Sequence, residues 1–271
     1  MQSRPRRSLT GLAALALGTL VLATAGCLEY SPHALPLDHV HRDMHRKSLE
    51  QLLAQPEPEV LRFAVVGDTQ GDFSEAEKAI AQLNERDDLS LVIQVGDFTH
   101  QGIGPEYKAM NGIFRRLRAP HFVVVGNHDL LANGSDIYDR MFGARDFAFT
   151  YARTRFVLFD SNGVEYGWDG RRPDLGFLRR VLEPSDEFDR AILFTHIDPS
   201  NPDWDPALRE PYYDLVREFG VRASFYGHGH PPLEFERDGS MFYRPGAVDY
   251  RTYIIASVHP DGRIEIERRH F

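Results

Sequence analysis

Five apolar runs spread over more than 160 residues all end on polar groups able to bind a cation. "LRFAVVGDTQ" runs into Asp68 and Gln70, and "LVIQVGD" into Asp97. "FVVVGNHD" ends on Asn127, His128 and Asp129, "AILFTHID" reaches His196, and "ASFYGHGH" closes on His228 and His230. In open α/β sheets ligands collect at the carboxyl ends of strands, so residues this far apart in sequence can converge. Hard oxygen donors and imidazoles gathered there are too polar to be buried unpaired, and divalent ions satisfy them. A single Gly-Asp after a strand is usually a turn, and a lone strand-end histidine is usually a hydrogen-bonded loop residue. Five such endings in series are not explained that way.

Between these runs lie amphipathic stretches, the alternation of an α/β fold. "SEAEKAIAQLNER" reads as a helix capped by Ser74, and "PEYKAMNGIFRRLR" as one with Pro105 in its first turn. "LLANGSDIYDRMFGARD" reads as a loop. The following "DFAFTYARTRFVLFDSN" alternates with period two around Ala152–Thr154, as a hairpin does. "RRPDLGFLRRVLE" and "ALREPYYDLVREFG" are helical, the second stopped by Gly220, and the last 50 residues are short strands and turns. Two layers of sheet are implied. With 271 residues, 42% of them hydrophobic, the chain can bury a large core.

The N-terminal region has a different composition. Residues 1–26 carry Arg4, Arg6 and Arg7, no acid, and the run "LTGLAALALGTLVLATAG", the pattern of an export signal. Arg6-Arg7 also fits a twin-arginine leader weakly. The sole cysteine, Cys27, stands where the run stops and excludes an internal disulfide framework. "LATAGC" resembles a bacterial lipobox, with Thr24 departing from the usual Leu, so a lipid anchor on Cys27 facing the periplasm or exterior is expected. Ordinary cleavage after Ala23-Thr24-Ala25 is the alternative. Residues 27–60 read as a tether with one short helix, on which His41 and His45 share a solvated face rather than a metal site. Loss of the leader takes the formal charge from -9 to -12, which disfavours nonspecific nucleic-acid binding.

The order of the five endings resembles the signature of the calcineurin-like metallophosphoesterase superfamily: Asp-x-His, Gly-Asp, Gly-Asn-His-Asp/Glu, a lone His, and Gly-His-x-His. Here these stand as "GDTQ", "GD" at 96–97, "GNHD" at 126–129, "THID" and "GHGH" within a domain of residues 61–271. The resemblance implies a four-layer αββα sandwich, two mixed sheets flanked by helices. It also implies two divalent or trivalent ions, of Mn, Fe or Zn, bridged by Asp97. Asp68, Gln70 and His230 would serve the first ion, and Asn127, His196 and His228 the second. Such ions, about 3.5–4 Å apart, clamp a phosphoester and generate an attacking hydroxide near neutral pH. By the same resemblance His128 protonates the leaving oxygen and Asp129 orients it.

Gln70 departs from the pattern, because it replaces a histidine with a neutral carbonyl and so weakens the first site. His100 stands where the related purple acid phosphatases place a tyrosine ligand, so it is either a compensating ligand or a loop residue lining the site. In "DPSNPDWDPALREPYYD", Trp204, Tyr212 and Tyr213 either stack on a substrate base or sugar or pack internally. The expected activity is hydrolysis of a phosphomonoester, phosphodiester or pyrophosphate in the envelope. The alternative is a metal-retaining binding or scaffold lipoprotein with weakened or no hydrolysis.

Overall fold

A computed structural model describes residues 37–167 and 171–271, so the expected leader, Cys27 and the lipobox-like segment lie outside the described residues. The first three apolar runs form β1 (Leu61–Val66), β2 (Leu91–Val95) and β3 (His121–Val124), parallel neighbours in a five-stranded sheet. Its other edge is antiparallel, with β10 (Thr252–Val258) against β1 and β11 (Ile264–His270) outside it. β2 is buried along its whole length, which is why its residues read as a continuous apolar run rather than an alternating one.

The second sheet has six strands in the order β4 (Phe147–Tyr151), β5 (Thr154–Leu158), β6 (Arg190–Phe194), β7 (Ala223–Phe225), β9 (Ser240–Arg244), β8 (Leu233–Arg237). β4 and β5 are the expected hairpin, turning through left-handed Ala152 and Arg153, and β5, β6, β7 and β9 run parallel. Between the two sheets Phe63, Ile93 and Phe122 meet Phe156, Phe194 and Phe225, and Phe63 sets its edge against Phe156 at 5.4 Å. Helices α2 (Phe73–Leu83), α3 (Gly104–Phe114) and α4 (Gly134–Met141) cover the outer face of the first sheet. Helices α5 (Leu175–Leu182) and α6 (Pro206–Glu218) cover that of the second. Three apolar layers separate four layers of secondary structure, as expected.

Three local expectations are corrected. The cap of α2 is Asp72, whose carboxylate accepts the Glu75 N–H at 3.0 Å; Ser74 lies inside the helix. The segment read as a loop after the third strand contains α4, because Ile137, Tyr138 and Met141 share a face that the first sheet buries. The helix of the tether, α1 (Met44–Leu53), is packed onto the domain rather than solvated. Leu52 enters the layer between the sheets and Met44 the layer outside the first. His45 is 2% exposed, and its Nε2 accepts the Val123 N–H at 3.1 Å. β3 is an edge strand, and α1 satisfies a backbone donor that would otherwise be left open there.

Candidate metal centre

Each of β1, β2, β3, β6 and β7 delivers a candidate ligand two or three positions past its last residue, and these residues meet at one end of the molecule. His196 is fully buried. Its Nδ1–H donates to Val95 O at 2.9 Å, which turns the Nε2 lone pair toward Asn127 Oδ1 at 3.0 Å and Asp97 Oδ1 at 3.3 Å. His228 Nδ1 faces the same Asn127 oxygen at 3.3 Å. Asp97, His196 and His228 bring ligand atoms within 4.8 Å of one another. Asp68 Oδ1 accepts the His228 backbone N–H at 2.9 Å, while its Oδ2 is buried without a hydrogen-bond partner. Gln70 Oε1 is likewise buried and unpartnered, and Gln70 Nε2 lies 3.0 Å from His230 Nε2.

This donor set fits metal ions. Oxygen and nitrogen lone pairs face one another with too few protons between them, and a carboxylate oxygen and an amide carbonyl have no other partner. The electrostatics agree. Burial disfavours a charge on His196, yet the carboxylates of Asp97 and Asp68 outweigh it and raise its pKa to about 10. Burial pushes Asp68 up, with the Asp97 charge adding to it against His196. Asp97 is also penalised by burial, but His196 holds it below the usual carboxylate range. The pocket attracts positive charge, and in its absence a proton on His196 takes the cation's part.

The backbone bends to make this arrangement. Asp97, His228 and His230 adopt left-handed φ of 54°, 63° and 57°, a conformation that non-glycine residues hold only where the surroundings impose it. Gly96, at φ 91°, lies so close to the His196 ring that a Cβ would overlap it. A Cβ on Gly227 would sit 2.7 Å from Asp68 Oδ1. Both glycines are required by close approach to ligands.

His128 stands beside the cluster. Its backbone N–H donates to Asp97 Oδ1 at 3.0 Å, and its ring Nδ1–H donates to His100 O at 2.8 Å, leaving Nε2 directed elsewhere. Asp129 does not set this ring, which corrects its expected role. Its carboxylate accepts the Gly126, Phe98 and Thr99 N–H groups at 2.9, 3.1 and 2.8 Å and the Thr99 hydroxyl at 2.9 Å. It ties the loop carrying Asp97 to the loop carrying Asn127. Burial, then the Asp97 charge, lift its pKa to about 7 against those donors. His100 is exposed and stacks on His128 at 5.3 Å, so it lines the site beside that ring. Trp204, Tyr212 and Tyr213 are packing residues: all three are buried beneath the second sheet. From the same insert comes Asp203, whose Oδ2 lies 3.0 Å from His228 Nε2. Nothing in the sequence marks it, since no strand-end pattern precedes it.

A two-sheet sandwich with this donor set at its strand ends fits the metallophosphoesterase architecture. The model of the calcineurin-like phosphoesterase family matches residues 61–232, and the chain belongs to that family. It is 40% identical over 190 residues to a probable cyclic nucleotide phosphodiesterase of Rhodopseudomonas palustris, a match taking in 61% of this chain and 66% of that protein. A probable cyclic nucleotide phosphodiesterase of Ruthia magnifica is 22% identical over 166 residues, 56% of this chain and 67% of that protein. The chain thus spans about two thirds of the length of these relatives. Among solved structures, a purple acid phosphatase from yellow lupin seeds shares the fold with a TM-score of 0.61 at 16% identity, over 80% of this chain and 53% of that one.

Proposed function

We infer that this protein is a dinuclear metal-dependent phosphodiesterase of the bacterial cell envelope. The observation that carries the metal-dependent reading is the inward-facing donor set, above all the unpartnered Asp68 Oδ2 and Gln70 Oε1. Diester specificity is supported by the relatives named as cyclic nucleotide phosphodiesterases. Export and a lipid anchor on Cys27 are supported by the leader and the lipobox-like "LATAGC".

Asp68, Gln70 and His230 would hold one ion and Asn127, His196 and His228 the other, with Asp97 between them. Bound there, two ions of the Mn, Fe or Zn type supply Lewis-acid polarisation of the phosphoryl group and a nucleophile at neutral pH. The chain's own residues do the rest. The Val95 carbonyl fixes the tautomer of His196, and the His128 N–H fixes one oxygen of Asp97. Because His100 O holds the Nδ1 proton of His128, the proton that moves to a leaving oxygen is the one on Nε2. Gln70 would offer its ion an amide carbonyl where the family places an imidazole, a weaker donor to ions of this type.

The test is hydrolysis by the manganese-loaded protein of bis(4-nitrophenyl) phosphate against 4-nitrophenyl phosphate. The diester is expected to be favoured about tenfold or more in kcat/KM. A preference for the monoester contradicts the diester assignment, and hydrolysis of neither by a protein holding two ions favours the metal-retaining binding lipoprotein.

A further inference from the structure

His228 has two ring nitrogens and only one lone pair to offer a metal while neutral. Its Nδ1 points into the cluster at Asn127 Oδ1, and its Nε2 points out of it, to Asp203 Oδ2 at 3.0 Å. Glu165 adds a second carboxylate, and ligand atoms of His228, Asp203 and Glu165 lie within 4.8 Å of one another. The two uses of the ring exclude each other. The Nδ1 side faces Asn127 beside buried His196 and Asp97, whereas the Nε2 side meets Asp203, whose side chain is partly exposed. The Nε2 position therefore carries the proton, and a carboxylate can only accept it.

We propose that Asp203 is a positioning residue of the second metal site: it accepts the Nε2–H of His228 and so fixes the tautomer that presents Nδ1 to the ion. This rests on the metal-dependent reading above and adds a residue from outside the five strand-end motifs.

Asp203 is built to hold still. Its N–H donates to Asn201 Oδ1 at 2.9 Å, and the next residue donates from Trp204 N to Asn201 O at 3.2 Å. The Trp204 side chain is fully buried, and Asp205 then caps α6 by accepting the Ala207 N–H at 2.9 Å. The backbone of Asp203 is thus pinned between a side-chain turn, a buried indole and a helix start. His228 needs such help, because its left-handed backbone and the hydrogen bond from its N–H to Asp68 place the residue without setting its ring. A carboxylate on the far nitrogen of a ligand histidine orients the ring and makes it a stronger donor.

The experiment is titration of manganese into metal-free wild type, Asp203→Ala and Asp203→Asn, followed by calorimetry, with the unfolding temperature of each metal-free protein recorded alongside. Wild type is expected to bind two ions per chain. Asp203→Ala is expected to weaken one of them about 10–100-fold. Asp203→Asn keeps an acceptor oxygen and is expected to lose less, and both metal-free variants should unfold at the wild-type temperature. Equal losses in the two variants would mean that only the charge matters and would overturn the orienting role. Unchanged affinities, or losses accompanied by a lower unfolding temperature in both variants, overturn it too. Wild type binding fewer than two ions would instead overturn the proposed function together with this inference.

Discussion

His128 and Asn127 are adjacent in sequence and divide the work: the Asn127 amide oxygen faces two imidazoles, while the His128 ring is held by a backbone carbonyl. A group held outside the ligand cluster can be removed without emptying it. His128→Ala should leave metal content at the wild-type level and slow hydrolysis of alkyl phosphodiesters about 10²–10⁴-fold. Nitrophenyl esters, whose leaving group departs as a stable anion, should lose much less. Equal losses on both substrates, with metal retained, would remove the general-acid role. Asp68, Asp97, Asn127, His196 and His228 were legible in the sequence because each follows a strand, where β-structure itself dictates the position. The duty of Asp129 was not legible. Adjacent in sequence to His128, it points the other way, because four donors from two loops claim its carboxylate. Asp203 was hidden for a related reason: its contact with His228 spans 25 residues and depends on how an insert folds back.

At the scale of elements, the strands and most helices followed from apolar periodicity, and α1 shows what periodicity leaves out. Met44, His45, Ser48 and Leu52 form one buried face, but a histidine in such a face reads as polar until the edge strand it covers is known. Burial lowers the pKa of His45 to about 3 and that of His121, on β3, to about 4. Both lie below the unfolded value of 6.5, so between pH 6.5 and 4 the unfolded chain binds protons that the folded one refuses. Their contribution to stability is intact above pH 6.5 and is lost as the pH falls through that window. Each histidine adds a slope approaching about 1.4 kcal/mol per pH unit. Urea unfolding of metal-free protein from pH 7 to 4 should therefore show a shallower decline for His45→Gln than for wild type, by roughly that slope for one group. Parallel curves would mean that His45 is not held neutral in the fold.

For the molecule as a whole, the fold gathers its candidate ligands at one end of the sandwich, while the proposed leader lies outside the described residues. With Cys27 as the only thiol, replacement of one sulfur tests the anchor. Cys27→Ser should move the protein from the membrane fraction to the soluble fraction, and unchanged membrane association would favour an uncleaved signal helix. The central claim is that the strand ends form one dinuclear site. Asp97 is the residue on which that claim turns, since it leads from a left-handed turn into contact with His196 and the His128 backbone. The direct measurement is manganese content per folded chain in wild type and Asp97→Asn, with phosphodiester hydrolysis followed on the same samples. Two ions and turnover in wild type, and reduced metal with no turnover in Asp97→Asn, are the predicted result; full occupancy in the folded variant would contradict the account.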